Sequence, residues 1–524
     1  MLELTVQLNG MHNVDRSVRY WRILLGPWLG YFVQILFDRW SSIQQGIREQ
    51  ELSETIVLDC PDAALIPGSM VDFQRLMVGD RWNHHVYGSI LRQFTQVPCI
   101  SQRSAEATPG PSSPGGRGRS AKEALAAAIS RVAGALVRDS DAFFLSTYLP
   151  VREEIKLHGR LGQMPQFWRF VAAASVAVDS RRRKWVVAGE SRSEFEACVR
   201  ALIPAQMPAV YLEGYTRLIE QAAQVPWPRH PKLIWTSNSH STDDVFKAYA
   251  ADKVQGGTPL VIGQHGGHWG VGRWSFVEDH DVAIMDRFLS WGWSSARHPN
   301  VKPACQLKVK RPLGVQHARQ PGALLVTGAS PRFSYWMYAA IVARQWLDYF
   351  NDQCAFVARL PRPIQDALTV RLYPEDYGWD QVARWRERLP EVRLDQGQTR
   401  MNDLIRHSRL YISTYNATTF LESMTMNVPS VIYWNVNHWE LRDSAAPYFD
   451  DLARVGVFHA TPESAADHVA RVWDDIDAWW SDPALQSMLA RFKQRYCRES
   501  DDVPGCIEPV LREVMTAADA AVAR

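Results

Sequence analysis

From Lys232 onward, short apolar runs alternate with amphipathic stretches. "PKLIWTSNS" predicts a strand ending in small polar residues, and "STDDVFKAYAADKVQGG" a helix. Ser241 with Asp244 three residues on has the form of a capping box, and Gly256-Gly257 close the helix. "PLVIGQ" predicts the next strand, and "VIGQHGGHWG", Val261 to Gly270, runs on from it. A second alternation starts at "ALLVTGAS", a strand, followed by the helical "SYWMYAAIVARQWLDYF" and the strand "CAFVARL". Then come a short helix "MNDLIRHS", a strand "RLYIST", a loop and helix "YNATTFLESMTMN", and a strand "VPSVIYW". "GVFHATPESAADHVARVWDDIDAWW" predicts a strand and a helix, with Thr461 as N-cap and Pro462 in the first turn.

This rhythm predicts an α/β chain of two Rossmann-like doubly wound domains facing a central cleft, with ligands at the carboxyl ends of the strands. The expected divisions are 1–300, 320–500 and a helical tail at 501–524, with the polar, Pro-rich Ala296–Gly322 as the boundary. The first 230 residues are less regular. "LELTVQLNG" alternates and predicts a strand, "ETIVLDC" a buried strand, and "DAFFLSTYL" a strand with a polar end. "YWRILLGPWLGYFVQILFDRW" predicts buried helices interrupted at Arg22, Gly26, Pro27 and Gly30; a contact with a membrane surface is the other reading. "SAEATPGPSSPGGRGRSA", Ser104 to Ala121, predicts a disordered insertion, and "AKEALAAAISRVAGALV" a helix after it.

Composition narrows the function. A chain of 524 residues is too long for one core. Its net charge of +2, from 58 basic and 56 acidic residues, makes no electrostatic case for nucleic acid. No apolar run reaches the roughly 18 residues of a membrane span, and the N-terminus lacks a signal-peptide pattern. Seven scattered cysteines without a CxxC fit a reducing compartment, so a cytoplasmic location is expected.

The candidate chemistry falls at strand ends. After Ser413 and Thr414 a small polar loop, Tyr415 and Asn416, leads into a helix starting near Thr418 or Thr419. Unpaired N–H groups and the helix dipole there favour an anion, and Glu422 one turn on suits ribose hydroxyls. Ordinary capping by Thr418 or Thr419 is the plainer reading. His265 ends its strand before Gly266 and Gly267, which permit close approach of a ligand. With an ordinary pKa of about 6.5, an imidazole there can accept an acceptor's proton; His268 is the second choice. Asp243 and Asp244 are alternative bases or nucleophiles, or simply favourable first-turn acids. Ser237, Asn238 and Gln264 lie on the same edge, for sugar hydroxyls. Arg332, after "TGASP", suits a donor phosphate; Arg359, Arg371, Asp376, Trp439 and Glu440 are further candidates, and Asn9, His12 and Arg16 face the acceptor side. The run Arg181–Lys184 reads as a solvated face or a contact for anionic headgroups. No metal motif is evident: "DSD" at Asp139–Asp141 precedes a strand, where such a motif follows one.

"TSNSHSTDDVFKAYAADKVQGGTPLVIGQHGGHWG", "STYNATTFLESMTMNVPSVIYWNVNHWELR" and "RYWRILLGPWLGYFVQILFDRW" resemble transferases of bacterial O-antigen and capsule loci, with GT-B-like architecture. The chain is distantly similar to Kdo transferases and to polyol-phosphate transferases of teichoic-acid type. The latter carry a Gln-then-His-Gly element like Gln264-His265-Gly266, at a different spacing. The resemblance implies a metal-independent glycosyltransferase without a cofactor. Its donor would be a nucleotide sugar, with a CMP-activated acidic sugar as one form, and its acceptor a glycan or lipid-linked glycan at the inner face of the cytoplasmic membrane. A CDP-polyol phosphotransferase and a non-catalytic scaffold in polysaccharide assembly are the alternatives.

Overall fold

The computed structural model describes residues 1–59, 62–103, 137–308, 320–337 and 339–522. The expected insertion and nearly all of the helical stretch after it lie outside these residues.

The described strands are β1 (Thr55–Asp59), β2 (Cys99–Arg103), β3 (Phe143–Phe144), β4 (Ile234–Thr236), β5 (Leu260–Gly263), β6 (Arg287–Ser290), β7 (Val301–Pro303), β8 (Gln320–Val326), β9 (Leu368–Arg371), β10 (Arg393–Asp395), β11 (Ser408–Ser413), β12 (Ser430–Tyr433) and β13 (Phe458–His459). Two parallel sheets organise the chain, as the alternation predicts. The N-terminal sheet runs β3-β4-β5-β6-β7, and the C-terminal sheet runs β10-β9-β8-β11-β12-β13. Counted from β8, the second order is 3-2-1-4-5-6, so the order in which strands are added reverses between the parallel neighbours β8 and β11. A crevice opens at the carboxyl ends of strands at such a switch. β4, β5 and β12 are buried throughout, which is why they read as unbroken apolar runs.

Several expected elements change type. "LELTVQLNG" belongs to a helix, Leu2–His12. Of its four alternating apolar residues, Leu4 and Leu8 are buried while Leu2 and Val6 are each 71% exposed, a spacing of four. "CAFVARL" is the second half of a helix, Trp346–Arg359, whose buried Tyr349, Phe350, Gln353, Cys354, Phe356 and Val357 fall at helical spacing. Of the expected helix at 334–350, the last five residues, 346–350, open this helix, and the described residues before them are irregular apart from a short 3-10 turn at Ala343–Gln345. β1 is a strand, but only Val57 on it is buried; among the described residues it pairs with β2 alone. Thr461 caps its helix as predicted, accepting from Ser464 N.

The Tyr20–Trp40 stretch lies in one helix, Val18–Glu49. Its glycines serve packing. A Cβ on Gly30 would meet the Phe276 ring at 2.2 Å, and one on Gly26 would meet His280 at 2.6 Å. The helix Phe276–Ile284 therefore lies directly on this helix. No helix among the described residues is long and apolar enough to cross a membrane.

The halves meet along the segment after β5. Gly272 bridges Leu441 in antiparallel fashion, Arg442 N donates to Val271 O at 2.9 Å, and Arg273 N to Glu440 O at 2.9 Å. Arg442 also bonds Gly272 O and pairs with Glu278 at 2.9 Å. The C-terminal segment crosses back: Arg498 N donates to Trp291 O and Gln306 N to Arg498 O.

Candidate functional site

The carboxyl end of β5 delivers Gln264 and His265. Gln264 is fully committed to shaping the turn: its Nε2 donates to Gly266 O at 2.7 Å, and its Oε1 accepts from Trp291 N and Trp293 Nε1. The glycines that follow make room for protein. A Cβ on Gly266 would strike the Trp269 ring at 2.3 Å, and one on Gly267 would strike Ala417 O at 2.4 Å. Gly267 N–H donates to Thr418 Oγ1 at 3.1 Å. The β5 loop and the loop after β11 thus touch.

His265 is half-buried, with its ring 4.2 Å from that of Trp269 and 6.2 Å from that of Tyr148. Burial is the main cause of its lowered pKa, about 4; His240 and Lys308 add to the effect, and Asp281 opposes it. Burial likewise lowers His268 and His280, each to about 3. Behind these rings is a buried carboxylate. Asp281 Oδ1 accepts from His240 Nε2 at 2.7 Å and Oδ2 from Trp269 Nε1 at 3.0 Å. Since an ionised carboxylate only accepts, His240 carries its proton on Nε2. Burial pushes the Asp281 carboxyl up, but His240, His265 and His280 together hold it below the ordinary range. No local sequence pattern marks His240 or Asp281.

At the C-terminal switch point, Tyr349 OH accepts from Gly328 N at 2.6 Å and shares a hydrogen bond with Thr414 Oγ1, tying the ends of β8 and β11. Thr414 also bonds Val326 O, and Ser413 Oγ donates to Tyr415 O. The helix Thr418–Thr425 begins at Ala417 without a side-chain cap. The plainer capping reading therefore does not hold: Thr418 Oγ1 receives Gly267, while Thr419 Oγ1 bonds the hydroxyls of Tyr411 and Tyr415. Asn416, 6% exposed, precedes this turn, and neither its Oδ1 nor its Nδ2 has a hydrogen-bond partner. Glu422 lies one turn into the helix and is nearly buried.

Other sequence candidates have structural employment. Asp243 caps the helix Asp244–Gln255 through Phe246 N, the role expected of Ser241. Burial raises its pKa to about 6. Asp244 accepts from Met70 N and Tyr211 OH and pairs with Lys247 at 2.9 Å. Ser237 braces the end of β3, and Asn238 N bonds Thr236 Oγ1. Arg332 pairs with Asp80 at 2.8 Å, Arg359 with Asp467 and Arg371 with Asp395, and Asp376 caps a turn through Asp380 N and Gln381 N. Asn9 bonds Arg16 N and Trp21 Nε1, and His12 stacks on Tyr215. Within the basic run, Arg183 is buried against Glu213, so that run is not wholly a solvated face.

The model of one protein family, described as LIC12162 family transferase, matches residues 1–511. No curated protein matches the chain. Among solved structures, the spinosyn rhamnosyltransferase SpnG complexed with spinosyn aglycone is similar at 14% identity and a TM-score of 0.32, over 58% of this chain and 76% of its own. The same enzyme complexed with thymidine diphosphate aligns over 57% and 76%, at 14% identity and a TM-score of 0.31.

Proposed function

Since the chain belongs to the LIC12162 family of transferases, we propose that it moves a glycosyl group from a nucleotide-activated donor to a hydroxyl of a glycan acceptor. The observation that carries this reading is the contact between the two loops, Gly267 N–H to Thr418 Oγ1 at 3.1 Å. It sets an imidazole from one sheet beside an uncapped helix start from the other.

In this mechanism the donor phosphate lies at the Tyr415–Thr419 loop. Free N–H groups of the first helical turn and the Asn416 amide stabilise charge as it develops on the leaving oxygen. His265 takes the acceptor's hydroxyl proton as that oxygen bonds to the anomeric carbon and the bond to phosphate breaks. The products are the glycoside, the nucleotide and a protonated His265. Asp281 stabilises the imidazolium through its negative charge, without itself taking the proton. The motif likeness to O-antigen and capsule transferases supports a surface-glycan acceptor, met at the cytoplasmic face of the membrane.

Thermal unfolding in the presence of CMP, CDP, UDP and GDP tests the donor site, because a ligand of the native state raises its stability. One nucleotide is expected to raise the melting temperature, and its sugar conjugate to be consumed by the wild type but not by His265→Ala. No shift with any of them removes the donor reading. Release of CMP with a phosphodiester product replaces it with polyol-phosphate transfer.

A further inference from the structure

Beside His265, the carboxyl end of β3 borders a cavity of about 430 Å³, within the range of small-molecule sites. Its mouth is a turn in an unusual conformation. Ser146 and Tyr148, neither a glycine, have φ of 54° and 65°, in the left-handed region. The end of β4 pins this turn: Ser237 N donates to Ser146 O, and Ser237 Oγ to Thr147 O, each at 2.9 Å. Backbone held this way against its preference gathers at ligand sites. Tyr148 faces both ways, lining the cavity with its ring 6.2 Å from His265.

The inner wall offers an unspent donor and an acceptor. Gln163 is oriented by both backbone groups of Ala142, and its Nε2 donates to His158 Nδ1 at 2.8 Å. The other nitrogen, Nε2, therefore carries the proton, and it makes no hydrogen bond. Glu154 Oε1 stands 4.0 Å from it, too far for a direct bond. A group that both accepts and donates, such as a hydroxyl, would satisfy both. The rest of the lining includes the Tyr148 and Trp168 rings, and Val151 and Ile155 at the rim are 63% and 40% exposed.

We propose that this cavity is the acceptor subsite, and that it takes a hydroxylated ring carrying an apolar tail. The ring lies against Tyr148 and Trp168, one hydroxyl bridges His158 and Glu154, and the tail runs over Val151 and Ile155. Its role as acceptor subsite rests on the glycosyl-transfer reading; its binding of such a molecule does not.

The test is saturation-transfer NMR on the full chain with n-octyl glucoside below its micelle concentration, with glucose and octanol as separate arms. Saturable binding of octyl glucoside is expected, tighter than that of either part. Exchanging the carboxyl for an amide in Glu154→Gln, or removing the apolar rim in Ile155→Asp, should weaken it about tenfold or more. Ile155 is already partly exposed, so its change leaves the fold intact, which circular dichroism checks. No saturable binding, or equal binding by Ile155→Asp, overturns the proposal. Because no nucleotide is present, a failed donor reading leaves this result standing, and the reverse also holds.

Discussion

His265 owes its chemistry to groups that its sequence neighbours do not announce. Burial holds its pKa near 4, so it is already neutral, and able to accept a proton, well below physiological pH. Transfer should therefore rise with pH through about 4 and stay flat across the ordinary histidine range; a limb near 6.5 in the rate profile contradicts this assignment. His265→Ala should reduce turnover by about 10²–10⁴-fold with nucleotide affinity unchanged, the range of general-base contributions. The same burial couples to stability. Above about pH 6.5, His265, His268 and His280 are neutral whether the chain is folded or not. Below it the unfolded chain takes protons that the folded one refuses, so stability falls with acid down to about pH 4 for His265 and about 3 for the other two. A lower melting temperature at pH 5 than at pH 7 is the expected result. The base candidate was legible because glycines and a strand end surround it. Asp281 was not, since it joins His240 across 41 residues and a buried polar contact leaves no periodicity.

Elements were legible where apolar runs stood between turn residues. The pattern of apolar positions marked β4, β5, β11 and β12, with the loops that follow them. It misled at Leu2–His12, where period two and period four coincide, and at Trp346–Arg359, where a short apolar run had no length to separate strand from helix. Tyr349, in the part of that helix the pattern does predict, joins the two switch-point loops. The glycines after His265 were expected to admit a ligand; they admit Trp269 and the opposite loop. Gly267→Val should accordingly cost roughly 1–3 kcal/mol in chemical denaturation, because the obstructing Ala417 oxygen is backbone and cannot rotate away. Asn416→Ala makes the opposite trade. Removing two buried, unpartnered polar atoms should leave the melting temperature unchanged or higher, while nucleotide affinity falls about tenfold.

At the scale of the molecule, the two sheets and their parallel strands follow from the alternation of elements, but the way they are joined does not. The segment after β5 lies as a strap along residues 440–442, and the Arg442–Glu278 pair fixes it from the C-terminal side. No local pattern encodes a pairing between segments so far apart. Arg442→Ala should raise amide exchange along both sides of the strap, at 270–274 and 440–443, without lowering exchange protection in the sheet cores. The proposed reaction requires the β5 loop and the β11 loop to form one site. Hydrogen exchange of the full chain, with and without the nucleotide found by thermal shift, reads this directly. Slowed exchange at both 264–270 and 414–422 is the result expected; protection confined to one half, or absent from both loops, contradicts it.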